Sequence, residues 1–158
     1  MENDLAQRPS AVPWPPVLLV AGVIAAWALG KIYHLPWPGL NDRPAKIVGY
    51  VLGLAGMALM MWGLATLARA KTNVMPHKAA DKLVTDGPFR IRRNPIYMGE
   101  VLILPGVAQA TYNIWFAILA PVFALAVYEL AILPEEGHLE ARFGDTYLDY
   151  KGRTRRWF

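Results

Sequence analysis

Between Lys82 and Gly99 the chain reads Lys-Leu-Val-Thr-Asp-Gly-Pro-Phe-Arg-Ile-Arg-Arg-Asn-Pro-Ile-Tyr-Met-Gly, and from Pro134 it reads Pro-Glu-Glu-Gly-His-Leu-Glu-Ala-Arg-Phe-Gly. In the first stretch, Asp86-Gly87-Pro88 marks a turn. Asn94-Pro95 has the form of a helix start, with Asn as N-cap and Pro in the first position. Arg90, Arg92, Arg93 and Tyr97 crowd beside that start, and a helix N-terminus flanked by guanidinium groups suits an anion. The second stretch also begins like a helix, with Pro134 ahead of Glu135 and Glu136, where acids favour the helix dipole. Carboxylates and arginines that converge from separate segments at a membrane interface are costly unless they are paired or used.

Other chemistries find little support. There is no cysteine, which removes disulfides, thiolate zinc sites and cysteine nucleophiles together. His34, His77 and His138 lie on different segments without i, i+3 or i, i+4 pairing, so no metal site is expected. No Gly-x-Gly-x-x-Gly, Walker loop or Gly-x-Ser-x-Gly elbow occurs. Glu100 and Glu129 fall inside apolar windows, each either the wall of a site or a group that snorkels to the interface.

The elements that must position these residues are membrane helices. The 158 residues are 55% hydrophobic and 18% charged, against about 25% charged in a soluble domain. They read as a single domain over 1–158, with the chemistry in 83–158. Pro9–Gly30 and Ile47–Ala68 are each 22 residues without a charge, and about 20 apolar residues cross a hydrocarbon core. Val101–Tyr128 is uncharged for 28 residues and breaks at the polar turn Ala110-Thr111-Tyr112-Asn113. Four crossings put 13 of the 16 basic residues on one face, whereas three would divide them evenly. The positive-inside rule therefore favours four helices, the last two a hairpin, with both termini cytoplasmic.

Met1–Arg8 carries two acids and one base ahead of a long apolar run, unlike a cleavable signal peptide. Gly22, Ala26 and Gly30, and again Gly49 and Gly53, recur every four residues and suit close helix packing. Leu139, Phe143, Tyr147, Tyr150, Trp157 and Phe158 make the tail an amphipathic segment that lies on the membrane or folds over the site. The basic loops would attract anionic lipid, and no nucleic-acid motif is present. The fold class expected is all-α: a polytopic membrane protein of about four transmembrane helices, plus a cytoplasmic loop and a C-terminal amphipathic helix that form the site.

Taken together, Leu83–Phe89 (Leu-Val-Thr-Asp-Gly-Pro-Phe), Arg93–Gly99 (Arg-Asn-Pro-Ile-Tyr-Met-Gly), Glu135-Glu136, Phe143-Gly144, Tyr147, Tyr150 and Arg153 resemble the isoprenylcysteine carboxyl methyltransferase and phospholipid methyltransferase family of small integral membrane methyltransferases. The resemblance covers Leu83 to the C-terminus, and its specificity lies in the combination. It implies S-adenosylmethionine as methyl donor, bound at the cytoplasmic helix ends. Leu83, Val84 and Gly87 would line the adenosine pocket, and Asn94, Tyr97, Glu135 and Glu136 would hold the donor's polar groups. Arg93 and Arg153 would meet the donor carboxylate or an anionic acceptor, which makes Arg93, Glu136 and Arg153 the candidate catalytic residues. Asn94 stands where eukaryotic protein-methylating members carry His, so it can hydrogen-bond but cannot act as a base. Asp81 replaces a further His and Phe89 a usual Tyr, which directs the acceptor away from prenylated proteins.

The activity expected is S-adenosylmethionine-dependent methyl transfer to a small lipophilic or membrane-embedded acceptor (a carboxylate, amine or thiol) in the bacterial inner membrane. A different class of function, a non-catalytic membrane assembly or partner-binding protein that keeps the fold, suits the glycine-bearing helices and basic loops as well. A small permease-like bundle using Glu100 and Glu129 is a third reading.

Overall fold

The computed structural model describes residues 14–37, 39, 42–72 and 81–157; Arg8, His77, Lys78 and Phe158 lie outside them. Four long helices come first: α1 (Trp14–Ile32), α2 (Arg43–Arg69), α3 (Pro95–Thr111) and α4 (Trp115–Val127). A π-helical turn, Tyr128–Ile132, joins α4 without a break to α5 (Leu133–Phe143), and α6 (Asp145–Arg153) follows. A short 3-10 turn, Gly87–Arg90, precedes α3. Among the described residues the only β pairing is one isolated bridge, Arg92 with Arg155.

Three helical stretches are long and apolar enough to cross a membrane: Trp14–Ile32, Arg43–Arg69 and Trp115–Phe143. α3, with 17 residues, would be about 25 Å long, near the lower limit for a crossing. It lies antiparallel along α2. Cβ atoms added at Gly49 and Gly63 would meet Gln109 and Ile96, respectively. α4 packs on α3 and α1 on α4, again antiparallel, with Gly30 against Asn113 and Gly22 against Phe123. The helices therefore stand side by side in the order α2, α3, α4, α1, alternating in direction.

The α2–α3 seam is a backbone contact. A Cβ at Gly56 would stand 2.6 Å from the Gly99 carbonyl oxygen, and one at Gly53 would stand 2.9 Å from the Gly106 Cα. Gly49, Gly56 and Gly63 recur at seven-residue spacing opposite Gly99 and Gly106, the period that keeps one helix stripe on its neighbour. The α3–α4 hairpin turns where the polar tetrapeptide suggested. Tyr112 adopts φ 52°, and Asn113 Oδ1 accepts from Trp115 N–H at 3.1 Å. Asn113 Nδ2 donates to the Ala26 carbonyl at 2.8 Å, so the turn also holds α1.

Pro134 does not begin a separate helix as its context suggested; the helix runs through it. Proline lacks an N–H and its ring crowds the preceding turn. The chain widens there by one residue, and Leu133 N–H donates to Tyr128 O, five residues back.

Candidate active site

The end of the molecule where α2 finishes and α3 begins gathers both polar stretches. Gly87 needs its φ of +58°, and a Cβ there would lie 2.7 Å from Thr66 Oγ1 on α2. The Asp86-Gly87-Pro88 turn is thus seated against the last turns of α2. Leu83 and Val84, half-buried, lead into it without regular structure.

Asn94 occupies the N-cap position of α3, but its side chain makes no capping bond. Its Nδ2 donates instead to Glu136 Oε1 at 3.4 Å. One turn into α3, the Tyr97 hydroxyl donates to Glu135 Oε2 at 2.8 Å. The expected meeting of Arg-Asn-Pro-x-Tyr with Glu-Glu is therefore direct, and Glu135 and Glu136 have different partners. Continuity through the π-turn sets this up, because it delivers both acids on a helix already fixed against α3.

Glu136 is the most heavily bonded carboxylate. Arg93 Nε reaches its Oε1 at 3.1 Å, and Arg156 donates through Nε to Oε1 at 2.9 Å and through Nη2 to Oε2 at 2.6 Å. Glu136 is 5% exposed, and burial of a charge at that level needs such pairing. Arg156 Nη1 also donates to the Tyr128 hydroxyl at 2.8 Å, and its guanidinium carbon lies 5.1 Å from that ring centroid. The hydrogen bond to Glu136 is the chief reason the Arg156 guanidinium is held above its ordinary pKa.

Arg153, expected beside Arg93, is elsewhere. It is exposed on α6, and its Nε donates to the Asp149 carbonyl at 3.2 Å. The backbone straightens at Thr154, with φ −127° and ψ 149°, and that extended step brings Arg156 to Glu136 instead.

The tail folds over the cluster as a strap. Arg93 N–H donates to Arg155 O at 3.0 Å, and Arg92 Nε to Trp157 O at 2.6 Å. Arg93 Nη1 donates to the carbonyls of Lys151, at 3.0 Å, and Thr154. Tyr150 OH donates to Phe89 O at 2.7 Å, tying α6 to the turn ahead of α3. Burial is the main cause that pushes Tyr150 up to about 12 and raises Tyr147 further, with Glu136 and Glu135 adding and Arg93 opposing. Both phenols therefore stay protonated through the neutral range.

Among the described residues, three buried side-chain atoms have no hydrogen-bond partner: Glu100 Oε2, the Tyr147 hydroxyl oxygen and Trp157 Nε1. Native proteins leave few such atoms, and each calls for a partner. Glu129, in contrast, is exposed. Among the described residues, no group of three or more His, Asp or Glu gathers to hold a metal.

Arg156 was the residue that motif spacing did not single out. Only its place three residues past the end of the last helix, among Arg153, Arg155 and Trp157, hinted that a tail arginine would turn inward.

The chain is similar to the cobalt-zinc-cadmium resistance protein CzcN of Cupriavidus metallidurans, 28% identical over 146 residues, which cover 89% of this chain and 60% of that protein. It is also similar to an uncharacterized protein of Haemophilus influenzae, 40% identical over 43 residues, 27% of this chain and 65% of that one. The chain thus spans less than two thirds of the length of the curated relatives it matches. No solved structure matches it. The phospholipid methyltransferase profile matches residues 44–146, a stretch running from α2 through α3, the hairpin and Glu135-Glu136 into α6. By that match the chain belongs to the phospholipid methyltransferase family.

Proposed function

We propose that this protein transfers the methyl group of S-adenosylmethionine to a lipophilic, membrane-embedded acceptor, at the helix ends where its two polar stretches meet. The observation that carries the reading is the Tyr97–Glu135 pair beside the Arg93–Asn94–Glu136–Arg156 cluster, within a chain of phospholipid methyltransferase type. A sulfonium amino acid presents positive charge and a carboxylate, so its site needs acids and guanidinium groups together. The unpartnered Tyr147 hydroxyl, which feels Glu136, Arg93 and Glu135, fits a polar ligand at that place.

The donor supplies an electrophilic methyl group, and the protein's part is positioning. Glu136 is committed to Arg93 and Arg156 and holds the strap closed. That leaves Glu135, oriented by Tyr97, as the acid offered to the donor's positive groups. Arg93 and Asn94, at the start of α3, would meet its carboxylate. Leu83 and Val84 with Gly87 would line the adenosine. Arg153, exposed, is available to an anionic headgroup. The strap and α6 would keep water from the transfer, and the acceptor would arrive from the apolar layer between the helices. The preponderance of basic residues at this end favours the cytoplasmic side, with both termini there.

Methyl-labelled donor, added to membranes containing the protein, should leave label in the solvent-extractable lipid phase, and Glu135→Ala should abolish it. The alternative, a non-catalytic partner-binding protein, draws on the name of the Cupriavidus relative, which is that of a resistance protein. It predicts no protein-dependent label and a stable complex on gentle extraction.

A further inference from the structure

We propose that Glu100 takes the proton that the methyl acceptor releases, so that the acceptor carries hydrogen on the atom to be methylated (an amine or thiol) and is not a carboxylate. The inference rests on the methyltransferase reading above.

Glu100 lies three residues beyond Tyr97 on α3, and residues at that spacing share a face. The same face continues through Leu104 and Ala108, which belong with Tyr97 to the apolar cluster formed with Phe116, Ala120, Phe123 and Val127 of α4. Glu100 is 9% exposed, and its Oε2 has neither a hydrogen-bond partner nor solvent contact. The acids at the helix end are engaged: Glu136 by two guanidinium groups, Glu135 by Tyr97. As a packing element a carboxyl here is inferior to an apolar side chain. An ionised oxygen without a partner in such surroundings is costly. The group makes sense as a proton station, since gaining a proton converts it to its lower-cost form.

Its depth agrees. α3 runs inward from Pro95, so Glu100 lies about one turn deeper than the Tyr97–Glu135 pair. A donor held at the helix end would point its methyl group toward that level, and a lipophilic acceptor reaches it from the apolar side. The acceptor's lone pair forms the new bond to the methyl carbon as the carbon–sulfur bond breaks. That bond's electron pair stays on sulfur, giving the neutral thioether. The acceptor's proton passes to the Glu100 carboxylate. Tyr97 and Glu135 are the other titratable groups beside this path. A carboxylate acceptor has no proton to release, and would meet Glu100 as a like charge.

The test uses the full-length protein in detergent, methyl-labelled S-adenosylmethionine, and three probes of one chain length: dodecylamine, dodecanethiol and dodecanoate. We expect label on the amine or the thiol and none on dodecanoate. Glu100→Gln should lower transfer about 100-fold or more, while S-adenosylhomocysteine binds as before and Glu100→Asp recovers part of the rate. Infrared difference spectra after a single turnover with dodecylamine and S-adenosylmethionine should show conversion of a carboxylate to a protonated carboxyl, and Glu100→Gln should lack that signal. Label on dodecanoate, a Glu100→Gln rate within about threefold of the parent, or no labelled probe from protein that binds S-adenosylhomocysteine would each overturn the proposal. The dodecanoate result decides even if the Gln variant does not fold. Failure of the parent protein to bind S-adenosylhomocysteine would instead remove the methyltransferase reading, and this inference with it.

Discussion

Replacing Glu136 with Gln should be the most damaging single change at the helix ends. The carboxylate side chain is 6% exposed and bridges Arg93, 10% exposed, and Arg156, 30% exposed. Glu136→Gln keeps the shape but removes the only negative charge between two guanidinium groups, one of them nearly buried. Breaking a buried pair in this way costs about 3–5 kcal/mol, and in a chain of this size that corresponds to a Tm lower by roughly 6–20 °C. Arg156→Ala should cost less, about 1–2 kcal/mol, because Arg93 and Asn94 still satisfy Glu136 and solvent reaches the vacated side. Arg156→Lys should recover little, since Nε and Nη2 address different carboxylate oxygens and an ammonium cannot. Thermal unfolding in one detergent, followed by far-UV circular dichroism, gives all three values. If Glu136→Gln costs under about 1 kcal/mol, or less than Arg156→Ala, the reasoning that the strap is closed by a buried charge pair is refuted.

Four further substitutions have expected outcomes. Tyr150, pushed up to about 12 mainly by burial, binds its proton more tightly folded than unfolded. Its contribution is therefore complete below about pH 10 and is lost between roughly pH 10 and 12. Tyr150→Phe should reduce that alkaline loss and cost about 1–3 kcal/mol at neutral pH, read by denaturation at several pH values. A Cβ at Gly99 would stand 2.6 Å from the Gly56 carbonyl oxygen, so Gly99→Ala should destabilise by about 1–3 kcal/mol. Gly152→Ala, with nothing within 4 Å of its new Cβ, should be neutral or up to about 1 kcal/mol stabilising. Tyr97→Phe should weaken donor binding by about tenfold, the worth of one hydrogen bond to a charged group, measured by titration.

Local signals served well where local chemistry decides structure. The Thr111–Asn113 break, the Gly87 turn and the charge-free windows each follow from residue types that tolerate one conformation or one solvent. The convergence of Arg93, Asn94 and Tyr97 with Glu135 and Glu136 was legible from motif order and the return of the hairpin to one end. The choice of Arg156 over Arg153 was not. Arg153, Arg155 and Arg156 are chemically alike, and the path of the strap is set by distant contacts, from Arg92 to Trp157 O and Arg93 to Thr154 O. Nor was the missing cap bond of Asn94, whose Nδ2 is turned to a buried carboxylate 42 residues away. Pro134 signals a helix start in isolation, and only the packing of α4 and α5 as one rod favours a widened turn. The four-residue recurrence of Gly49 and Gly53 pointed to close packing, but the seven-residue stripe Gly49, Gly56 and Gly63 and its partners Gly99 and Gly106 acquire meaning only once α2 and α3 are known to be neighbours.

The most direct measurement is a calorimetric titration of the purified full-length protein with S-adenosylmethionine and S-adenosylhomocysteine, beside Glu135→Ala and Asn94→Ala. We expect saturable binding of both ligands by the parent protein and markedly weaker binding by each variant. Absence of binding by folded protein, or binding that neither substitution weakens, would contradict a donor site built on Tyr97, Glu135 and the start of α3.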